Sequence, residues 1–499
     1  MSLLPGASSR QEKEAFNHFQ SYMANKLPGV FESEFWEKLV LQASVQETAV
    51  LQSTIALAAG QLGNEALTLT AYNRAIGGLG EHLKRQDTYA LRVTLITCIL
   101  FTSLEFLRGS RSTGESHLHN GLRLLRELPS QAGNPSSGGS QKKIIRLSRS
   151  LRSVDDSVVE AFTRMNVQFA VFGQGSEFLY QLGHDARNHG SSSYHVPLSF
   201  DRLGEARQWL DLLINGVLSL SSQADKHVTG QLKFPSNMRR MHKRIEAALE
   251  KWMLAFESSL QTVNATGSTR ISIGLDVLRT YHTMTKIMAA TCLRGRDETV
   301  YDKHTASFAS LLYQVWGLWN RAAVAFRDTP SKFSFTTDMG FIPPLYFTAL
   351  KCREPNLRRM AVDLLAKAPH IEGPWDGRIA AAVARRVMKL EEGDTFHDHE
   401  LTASIVGASE VKDEAVTPSL PIVPASSRAN KVIVHSDPTV REKARVEVRI
   451  YVRERVNKQW KWTCEVKELN VDVTPQLTTE LRRVSRLNME ECTVRARVQ

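Results

Sequence analysis

Residues 341–378 read FIPPLYFTALKCREPNLRRMAVDLLAKAPHIEGPWDGR, and this stretch contains strong helix signals. Pro343 and Pro344 suit the first turn of a helix, because a backbone N–H would have no intrahelical partner there. Apolar residues then recur at helical spacing, which predicts one helix over 343–353 and, after the break at Glu-Pro-Asn, a second over 357–368. The stretch therefore predicts two consecutive helices joined by a tight turn.

The end of the stretch predicts how this pair joins the last helix. Gly373 and Pro374 form a turn ahead of a helix over 376–392. We expect the Trp375 ring to anchor that turn in the core. Three arginines of the pair are expected to bind acidic groups on neighbouring helices rather than a ligand: Arg353, Arg358 and Arg359.

Apolar residues at helical spacing continue upstream to the N-terminus, in segments separated by turn signals. In one of them Ser44, followed by Glu47, matches a capping box and predicts that a helix begins there. Beyond about residue 430 the apolar period changes to two, as in Val446, Val448 and Ile450, which predicts a strand with residues 456–469 as its hairpin partner. The predicted fold class is mainly α, an array of antiparallel helix pairs with a small antiparallel β segment near the C-terminus.

The composition shifts along the chain predict its division into domains and linkers. Pro, Gly and Ser are enriched around residue 135, and the apolar period is lost after Glu392. We expect a flexible N-terminus over 1–10, a first helical region over 11–127, a flexible linker over 128–150, a second helical region of the same domain over 151–392, a linker over 393–430 and a small β-rich segment over 431–499.

The charge of the chain is basic, with 63 Lys and Arg against 52 Asp and Glu in 499 residues, a formal net charge of +11. Such a balance fits a nucleic-acid, chromatin or acidic-protein partner, but it also describes many helical surfaces. A basic tract is either a nuclear-import or phosphate-contacting segment or the solvated first turns of a helix: Lys142, Lys143, Arg146, Arg149 and Arg152. A basic strand face offers a route to direct DNA contact, which we do not expect: Arg445, Arg449, Arg453 and Arg455.

The cysteines and the most apolar run bear on the compartment. Five scattered cysteines without a CxxC pair indicate a reducing compartment: Cys98, Cys292, Cys352, Cys464 and Cys492. The start of the chain has no signal-peptide pattern. The apolar run over 90–109 is long enough to span a membrane, but it contains Arg92 and Glu105, so we expect a buried core helix and no membrane span.

No catalytic or cofactor motif is found in the sequence: neither a glycine-rich phosphate loop, nor a GxSxG elbow, nor HExxH. His117 and His119 project to different faces of a helix, so they are not expected to share a metal. A second polar group lies at a segment edge and is not expected to be a metal site: His397, Asp398, His399 and Glu400. Cys352, beside Lys351, is either a low-pKa nucleophile or a small core residue, and no base is identifiable to support the first interpretation. We therefore expect no enzyme, no cofactor, and no catalytic or metal-binding residues.

The same stretch carries a resemblance to a known family. Its motifs are Gly340, Ile342, Pro343, Pro344, Leu345 and Tyr346, then Cys352, Arg353, Pro355, Arg358, Arg359 and Ala361, then Glu372, Gly373, Trp375 and Asp376. Their order resembles the fungal-specific transcription factor domain that follows a binuclear zinc-cluster DNA-binding domain. Three further segments, FESEFWEKLVLQAS, LITCILFTSLEFLRGSRSTGESHLHNGLRLL and ETVYDKHTASFASLL, resemble the same family in the same order.

The sequence departs from that family at its N-terminal side. The zinc cluster of the family needs six cysteines in two CxxCx₆C-like halves, whereas the first cysteine here is Cys98 and none has that spacing. We expect either a regulator without its own zinc cluster, or a gene model from which an upstream zinc-cluster exon is missing. The DNA-binding residues stay unknown.

The resemblance implies a nuclear transcription regulator that acts through protein partners, such as a DNA-binding factor or a co-regulator. It also implies a small effector as a candidate ligand, self-association or pairing with another chain as a candidate assembly, and metabolic or secondary-metabolite genes as targets. Two alternatives are a helical interaction scaffold without a transcriptional role and an enzyme within a helical scaffold. The second needs a convergent set of titratable groups, which the sequence does not offer.

Overall fold

The computed structural model describes residues 9–85, 87–131, 144–148, 153–171, 179–182, 195–227, 234–263, 267–325, 335–368, 370–393, 422–436, 443–456 and 459–472. Helices make up most of this part of the chain. They are α1 Arg10–His18, α2 Ala24–Lys26, α3 Val40–Gln46, α4 Thr48–Gln61, α5 Glu65–Lys84, α6 Thr88–Arg108, α7 Arg111–Leu125, α8 Val154–Phe169, α9 Leu203–His227, α10 Ser236–Val263, α11 Thr269–Thr291, α12 Thr305–Ala325, α13 Ile342–Lys351, α14 Pro355–Ala366 and α15 Gly377–Glu392.

The strands form three small sheets. They are β1 Ile144–Leu147, β2 Leu179–Leu182, β3 Phe335–Thr336, β4 Ile371–Glu372, β5 Trp375–Asp376, β6 Lys431–Ser436, β7 Lys443–Val456 and β8 Gln459–Asp472. β1 pairs with β2 in parallel, and β4 joins parallel β3 to antiparallel β5. β6, β7 and β8 form an antiparallel sheet near the C-terminus, with β7 in the centre. The predicted fold class, mainly α with a small antiparallel β segment, is confirmed.

Residues 341–378 fold as the sequence predicts. α13 has its prolines in the first turn, and α14 begins at Pro355, where the Glu354 carboxylate accepts a hydrogen bond of 2.6 Å from the backbone N–H of Leu357. Gly373 takes a positive φ of 56° in the β4–β5 turn, a conformation that favours glycine. Trp375 is 1% exposed, and its indole N–H donates to the carbonyl of Gln168 at 3.3 Å, so the ring does anchor this turn.

Helix α6 is the apolar run that is long enough to span a membrane. Of its most apolar 18-residue window, 89% is buried inside the protein. Residues from all sides of the helix are buried, including the polar Thr97 and Thr102, and the Thr102 hydroxyl donates to the Cys98 carbonyl at 2.8 Å. It is a core helix, as its sequence predicts.

The capping box predicted at Ser44 is wrong. Ser44 lies inside α3, where its hydroxyl donates to the carbonyl of Val40 at 2.7 Å. Glu47 instead is the N-cap residue of α4, in an extended conformation and with no hydrogen bond from its side chain to the helix. The Ser-x-x-Glu pattern spans the junction between two helices, so the start of α4 is three residues later than predicted.

The predicted domain and linker boundaries stay predictions, although some residues of the expected linkers form regular elements. Within 128–150, Pro129–Gln131 is a 3₁₀ turn and Ile144–Leu147 is strand β1. The interpretation of the basic tract as helical turns is therefore wrong at Arg146, which lies in β1. Its backbone N–H donates to the side-chain oxygen of Gln131 at 2.8 Å, and its carbonyl accepts from the Gln131 amide at 2.9 Å. The other four residues of the tract lie outside the described residues.

The C-terminal sheet packs against the helices through one face. Val446, Val448 and Ile450 of β7 are buried, together with Leu469 and Val471 of β8. They belong to the same apolar cluster as buried residues of α13, α14 and α15. The alternation predicted for β7 is thus what places this sheet on the helices.

Candidate functional site

A group of charged side chains lies buried where the C-terminal sheet meets the helices. We call it the C-terminal ionic cluster and define it as Glu298, Lys351, Arg353, Arg358, Glu391 and Glu392. The residues come from the ends of α13 and α15, from α14, from the loop between α13 and α14, and from the position before the 3₁₀ turn Thr299–His304. Sequence elements far apart in the chain therefore converge on one site.

Two carboxylates hold the arginines of this cluster. Glu391 lies 2.9 Å from Arg353 and 2.6 Å from Arg358, and all three side chains are at most 2% exposed. Glu298 lies 3.2 Å from Arg353 and 2.9 Å from Lys351. Arg359 lies 2.7 Å from Glu392. The prediction that Arg353, Arg358 and Arg359 bind acidic groups on neighbouring helices is confirmed.

The cluster also holds the chain that enters the C-terminal sheet. The backbone N–H of Ala429 donates to Glu391 at 2.6 Å, and Lys351 donates to the carbonyls of Ala429 and Asn430 at 3.2 and 3.0 Å. Asn430 in turn accepts from the backbone N–H of Tyr451 in β7 at 2.8 Å. The charged groups therefore fix the start of β6 on the helices.

The electrostatics of the cluster favour its ionised carboxylates. Burial works against the charge on Glu391, but Arg353 and Arg358 outweigh burial and lower its pKa to about 2. Burial also opposes the charge on Glu298, yet Lys351, Arg294 and Arg353 lower the pKa of that carboxyl. Glu391 and Glu298 are thus anionic at neutral pH and act as structural anchors.

A second buried group, the central ionic cluster, lies between α8, α9 and the loop after β3. It consists of Glu160, Arg164, Arg207, Asp211 and Asp338. Arg164 lies 2.7 Å from Glu160, and Arg207 lies 3.3 Å from Asp211 and in direct contact with Asp338. Burial raises the pKa of Asp211 to about 6, although Arg207 and Arg164 oppose the shift.

A cavity of about 10 Å³ adjoins the central ionic cluster. It is lined by Ser33, Trp36, Ala161, Arg164, Met165, Thr337 and Asp338. This volume is about that needed by one water molecule. The cavity is therefore too small to be a preformed site for an organic effector.

The family model of the fungal specific transcription factor domain matches residues 14–368, more than two thirds of the chain. The chain belongs to this family. The match ends before Glu372 and Trp375, so the last motif of the resemblance lies outside the matched range.

One similar protein is a regulator from Emericella nidulans named as the aspercryptin biosynthesis cluster-specific transcription regulator atnN. It is 33% identical over 67 residues, which are 13% of this chain and 11% of that protein. This chain therefore aligns with only a small part of its relative's length. No solved structure matches the chain.

Of the four cysteines that the structure describes in this member of the fungal transcription factor family, three are buried. Cys352 is 3% exposed, and burial raises the pKa of its thiol to about 11. Burial likewise raises the pKa of Cys98 to about 11 and that of Cys292 to about 12. Cys464 is exposed, and Cys492 lies outside the described residues. Of the two interpretations that the sequence allows for Cys352, a nucleophile or a small core residue, the structure supports the core residue.

His117 and His119 contact different groups in the structure. His117 is within 3.2 Å of the Tyr72 hydroxyl, and His119 is 3.9 Å from Glu115 and packs edge-to-face on Phe169. Among the described residues, no three His, Cys, Asp or Glu side chains are grouped closely enough to hold a metal ion. The group formed by His397, Asp398, His399 and Glu400 lies outside the described residues.

The four arginines of the basic strand face lie in β7, where Glu447 and Tyr451 alternate with them on the same face. Arg449 lies 2.6 Å from Glu447 on the same face, and Arg445 is paired in register with His435 of β6. Arg453 and Arg455 are paired in register with Trp462 and Trp460 of β8. Acidic residues therefore interrupt this basic face, and direct DNA contact through it stays unexpected.

Sequence reasoning missed the central ionic cluster. A signal was present, because Glu160 with Arg164 and Arg207 with Asp211 are opposite charges four residues apart in segments that are otherwise apolar. Such pairs most often lie on solvated helix faces. The third partner, Asp338, follows in a loop 127 residues after Asp211, and nothing local in the sequence relates the two.

Proposed function

We propose that the chain is the regulatory part of a fungal transcription regulator that acts in the nucleus through protein partners and does not catalyse a reaction. The observation that carries this proposal is the family match over residues 14–368. The burial of the titratable groups supports it, because Cys352 and the carboxylates of both clusters contact neighbouring protein groups instead of a solvent-filled cleft. The partners would be a DNA-binding factor or a co-regulator.

The similar protein supports a proposal about the target genes. Its printed name assigns it to one biosynthetic gene cluster, and we propose by analogy that this chain regulates metabolic or secondary-metabolite genes. This step rests on 67 aligned residues and on analogy.

A small effector is a further element of the proposal. Since the cavity beside Arg164 and Asp338 has the volume of one water molecule, an effector at this position would have to separate α8 from the loop after β3. Such a ligand would then shift the population of two conformations with different partner affinities.

The second candidate function is a helical interaction scaffold without a transcriptional role. The array of helices favours it equally on physical grounds, because helical surfaces bind proteins of many kinds. Location and an effect on transcription separate the two candidates.

A tethering experiment tests the proposed function. The full chain is fused to a heterologous DNA-binding domain in a fungal host and directed to one promoter with low and one with high basal activity. A regulator raises expression from the first or lowers expression from the second, whereas a scaffold without a transcriptional role leaves both unchanged. The latter result, with the fusion present in the nucleus, contradicts the proposal.

Two variants of the fusion serve as a matched pair. Arg358→Met removes a side chain that is 0% exposed, and Arg359→Met removes its neighbour, which is 25% exposed. An effect that depends on the folded domain is lost with Arg358→Met and retained with Arg359→Met at equal protein levels.

A further inference from the structure

Helix α10 carries a group of exposed positive charges on one side. We call this group the α10 basic face and define it as Arg239, Arg240, Lys243, Arg244 and Lys251, all of which are exposed. Residues three, four and seven apart share a side of a helix, so these side chains project in similar directions. The opposite side of α10 is buried and packs against α9 and α11. The positive charges are therefore spread over about 18 Å of one solvent-facing helix surface.

The cations of the α10 basic face have no acidic partner among the described residues of the chain. None of them forms an ion pair there. The two acidic residues beside them bind other groups, since Glu246 lies 3.5 Å from His242 and Glu250 lies 2.7 Å from Lys286. The α10 basic face thus presents its positive charge to a partner outside the described chain.

The basic strand face of β7 differs in this respect. There Glu447 lies 2.6 Å from Arg449 and compensates its charge. The two basic surfaces are therefore not equivalent, and only the cations on α10 are left without a carboxylate in contact.

The placement of these charges disfavours the helix that carries them. Arg239 with Lys243 and Arg240 with Arg244 are like charges four residues apart, an arrangement that destabilises a helix. α10 begins at Ser236, so Arg239 also lies in the first turn, where the helix dipole opposes a positive charge. A sequence that departs from the local rules of stability is typical of a functional surface. An anionic partner would offset this unfavourable placement.

We propose that the α10 basic face binds the phosphate backbone of double-stranded DNA without reading its sequence. The proposal rests on the proposed function, because a regulator held at a promoter by a protein partner has this surface close to DNA. The guanidinium groups of the arginines donate paired hydrogen bonds to phosphate oxygens, and the lysines act as point charges. Contacts with the backbone position a protein on DNA and carry no sequence information. The protein partner therefore selects the promoter, and α10 adds affinity for it.

The composition of this surface fits DNA better than an acidic protein. The core of a protein interface is apolar and enriched in aromatic residues. Between the cations of the α10 basic face the exposed residues are Glu246, Ala247 and Glu250. Leu254, the large apolar side chain exposed on α10, lies beyond Lys251 at the end of the face. A DNA backbone requires charge alone and offers one negative charge per roughly 1.7 Å of its axis.

Fluorescence anisotropy of a labelled duplex of about 20 base pairs, titrated with the purified full chain at several salt concentrations, tests the proposal. If every cation of the α10 basic face contacts a phosphate, the logarithm of the association constant falls against the logarithm of salt with a slope of about −4.5. The affinity then drops about 500-fold between about 50 and 200 mM salt. A second duplex of unrelated sequence should bind with the same affinity.

Three double variants show whether the charges of α10 cause this binding. Arg240→Gln with Arg244→Gln removes two contacts, so the slope should change to about −2.7 and the affinity at low salt should fall by about tenfold or more. Its Tm should stay unchanged or rise, because like charges are removed from the helix. Arg240→Lys with Arg244→Lys keeps the charge and should keep the slope. Arg385→Gln with Arg386→Gln, at two exposed arginines of α15, is the matched control for net charge and should bind like wild type.

The following results would overturn the proposal. They are no binding of the duplex at low salt by about 100 µM of the wild-type chain, equal losses of affinity in the α10 and α15 glutamine variants, and a tenfold preference for one of the two duplexes. Displacement of the duplex by polyglutamate at the same concentration of charge would overturn it as well, and would indicate an acidic protein as the partner.

The outcome is separable from that of the tethering experiment. The binding assay uses the purified chain and short DNA, without a promoter or a protein partner. A chain that binds no DNA but changes expression when tethered contradicts only the role of α10. A chain that binds DNA through α10 but leaves expression unchanged contradicts only the proposed transcriptional function.

Discussion

Arg358 and Glu391 lie 2.6 Å apart, and neither side chain is exposed to solvent. Removing two charges from water is costly, and the attraction between them offsets that cost only while both are present. Glu391 also accepts the backbone N–H of Ala429, so this pair connects α14 and α15 to the chain that enters the C-terminal sheet. The charged residues of the stretch 341–378 therefore hold two parts of the fold together.

Replacement of Arg358 by methionine should cost about 3 to 5 kcal/mol of unfolding free energy, because it leaves Glu391 charged and partly unpaired in the core. Arg359→Met on the same helix removes a partly exposed arginine that pairs with Glu392, and it should cost less than about 1 kcal/mol. Urea unfolding of both variants gives the comparison. Equal losses of unfolding free energy would show that burial of the pair formed by Arg358 and Glu391 makes no difference to its contribution to stability.

The low pKa of Glu391 predicts a pH dependence of stability. The pKa is about 2 in the folded chain against 4.5 for an unperturbed glutamate, so this stabilisation is complete above pH 4.5 and is lost as the pH falls toward 2. About 2 kcal/mol of it should be lost by pH 3. The difference in unfolding free energy between wild type and Glu391→Gln should therefore shrink from pH 6 to pH 3. A difference independent of pH would contradict the assignment.

Gly340 should not tolerate a larger residue. An added Cβ would lie 2.0 Å from an oxygen of Glu372, whose carboxylate accepts the backbone N–H groups of Phe341 and Ile342 at the start of α13. Gly340→Ala should thus cost about 1 to 3 kcal/mol. Gly204→Ala in α9 meets no described atom within 4 Å and should be neutral or stabilising. Thermal unfolding gives the Tm of both variants. Similar Tm values would exclude the close contact between residue 340 and Glu372.

Truncation of Trp375 should destabilise the chain by about 3 to 5 kcal/mol, because its ring is buried and packs against Tyr346. Trp316→Ala in α12, where the side chain is 37% exposed, is the control and should cost much less. Chemical unfolding measures both. A stable Trp375→Ala chain that has lost partner binding would make the residue an interface residue instead.

The burial of the thiols predicts their reactivity. In a Cys492→Ser chain at pH 7, a maleimide should label Cys464 rapidly and leave Cys98, Cys292 and Cys352 unmodified until the chain unfolds. The reason is that only thiolates react readily, and burial raises the pKa of these three thiols. Mass spectrometry of peptides gives the sites. Rapid labelling of Cys352 would instead support a nucleophilic role.

The sequence predicted local structure best where strong signals coincide. Pro343, Pro344 and the Glu-Pro-Asn break set the ends of α13 and α14, and the alternation around Val448 set β7. The capping box predicted at Ser44 is wrong because Ser44 lies in the last turn of α3, just before α4 begins. The sequence does not predict β1, because a strand of four residues is too short to show a clear periodic pattern. The strand is stabilised by its pairing with β2.

Sites that depend on tertiary contacts were predicted less completely. The sequence predicts that Arg353 and Arg358 bind acidic groups. It does not identify Glu391 as their partner, because Glu391 lies on another helix. The central pair of Arg207 and Asp338 joins α9 to a distant loop and was not predicted. Long-range charge pairing follows from the packing of helices, which one sequence does not display.

Chromatin immunoprecipitation of the tagged full chain, expressed at its native level in the source fungus, tests whether the chain acts at promoters. We expect enrichment at a limited set of promoters whose transcripts change when the gene is deleted. A chain that is absent from the nucleus, or is nuclear without enrichment at any promoter, would contradict a role in transcription.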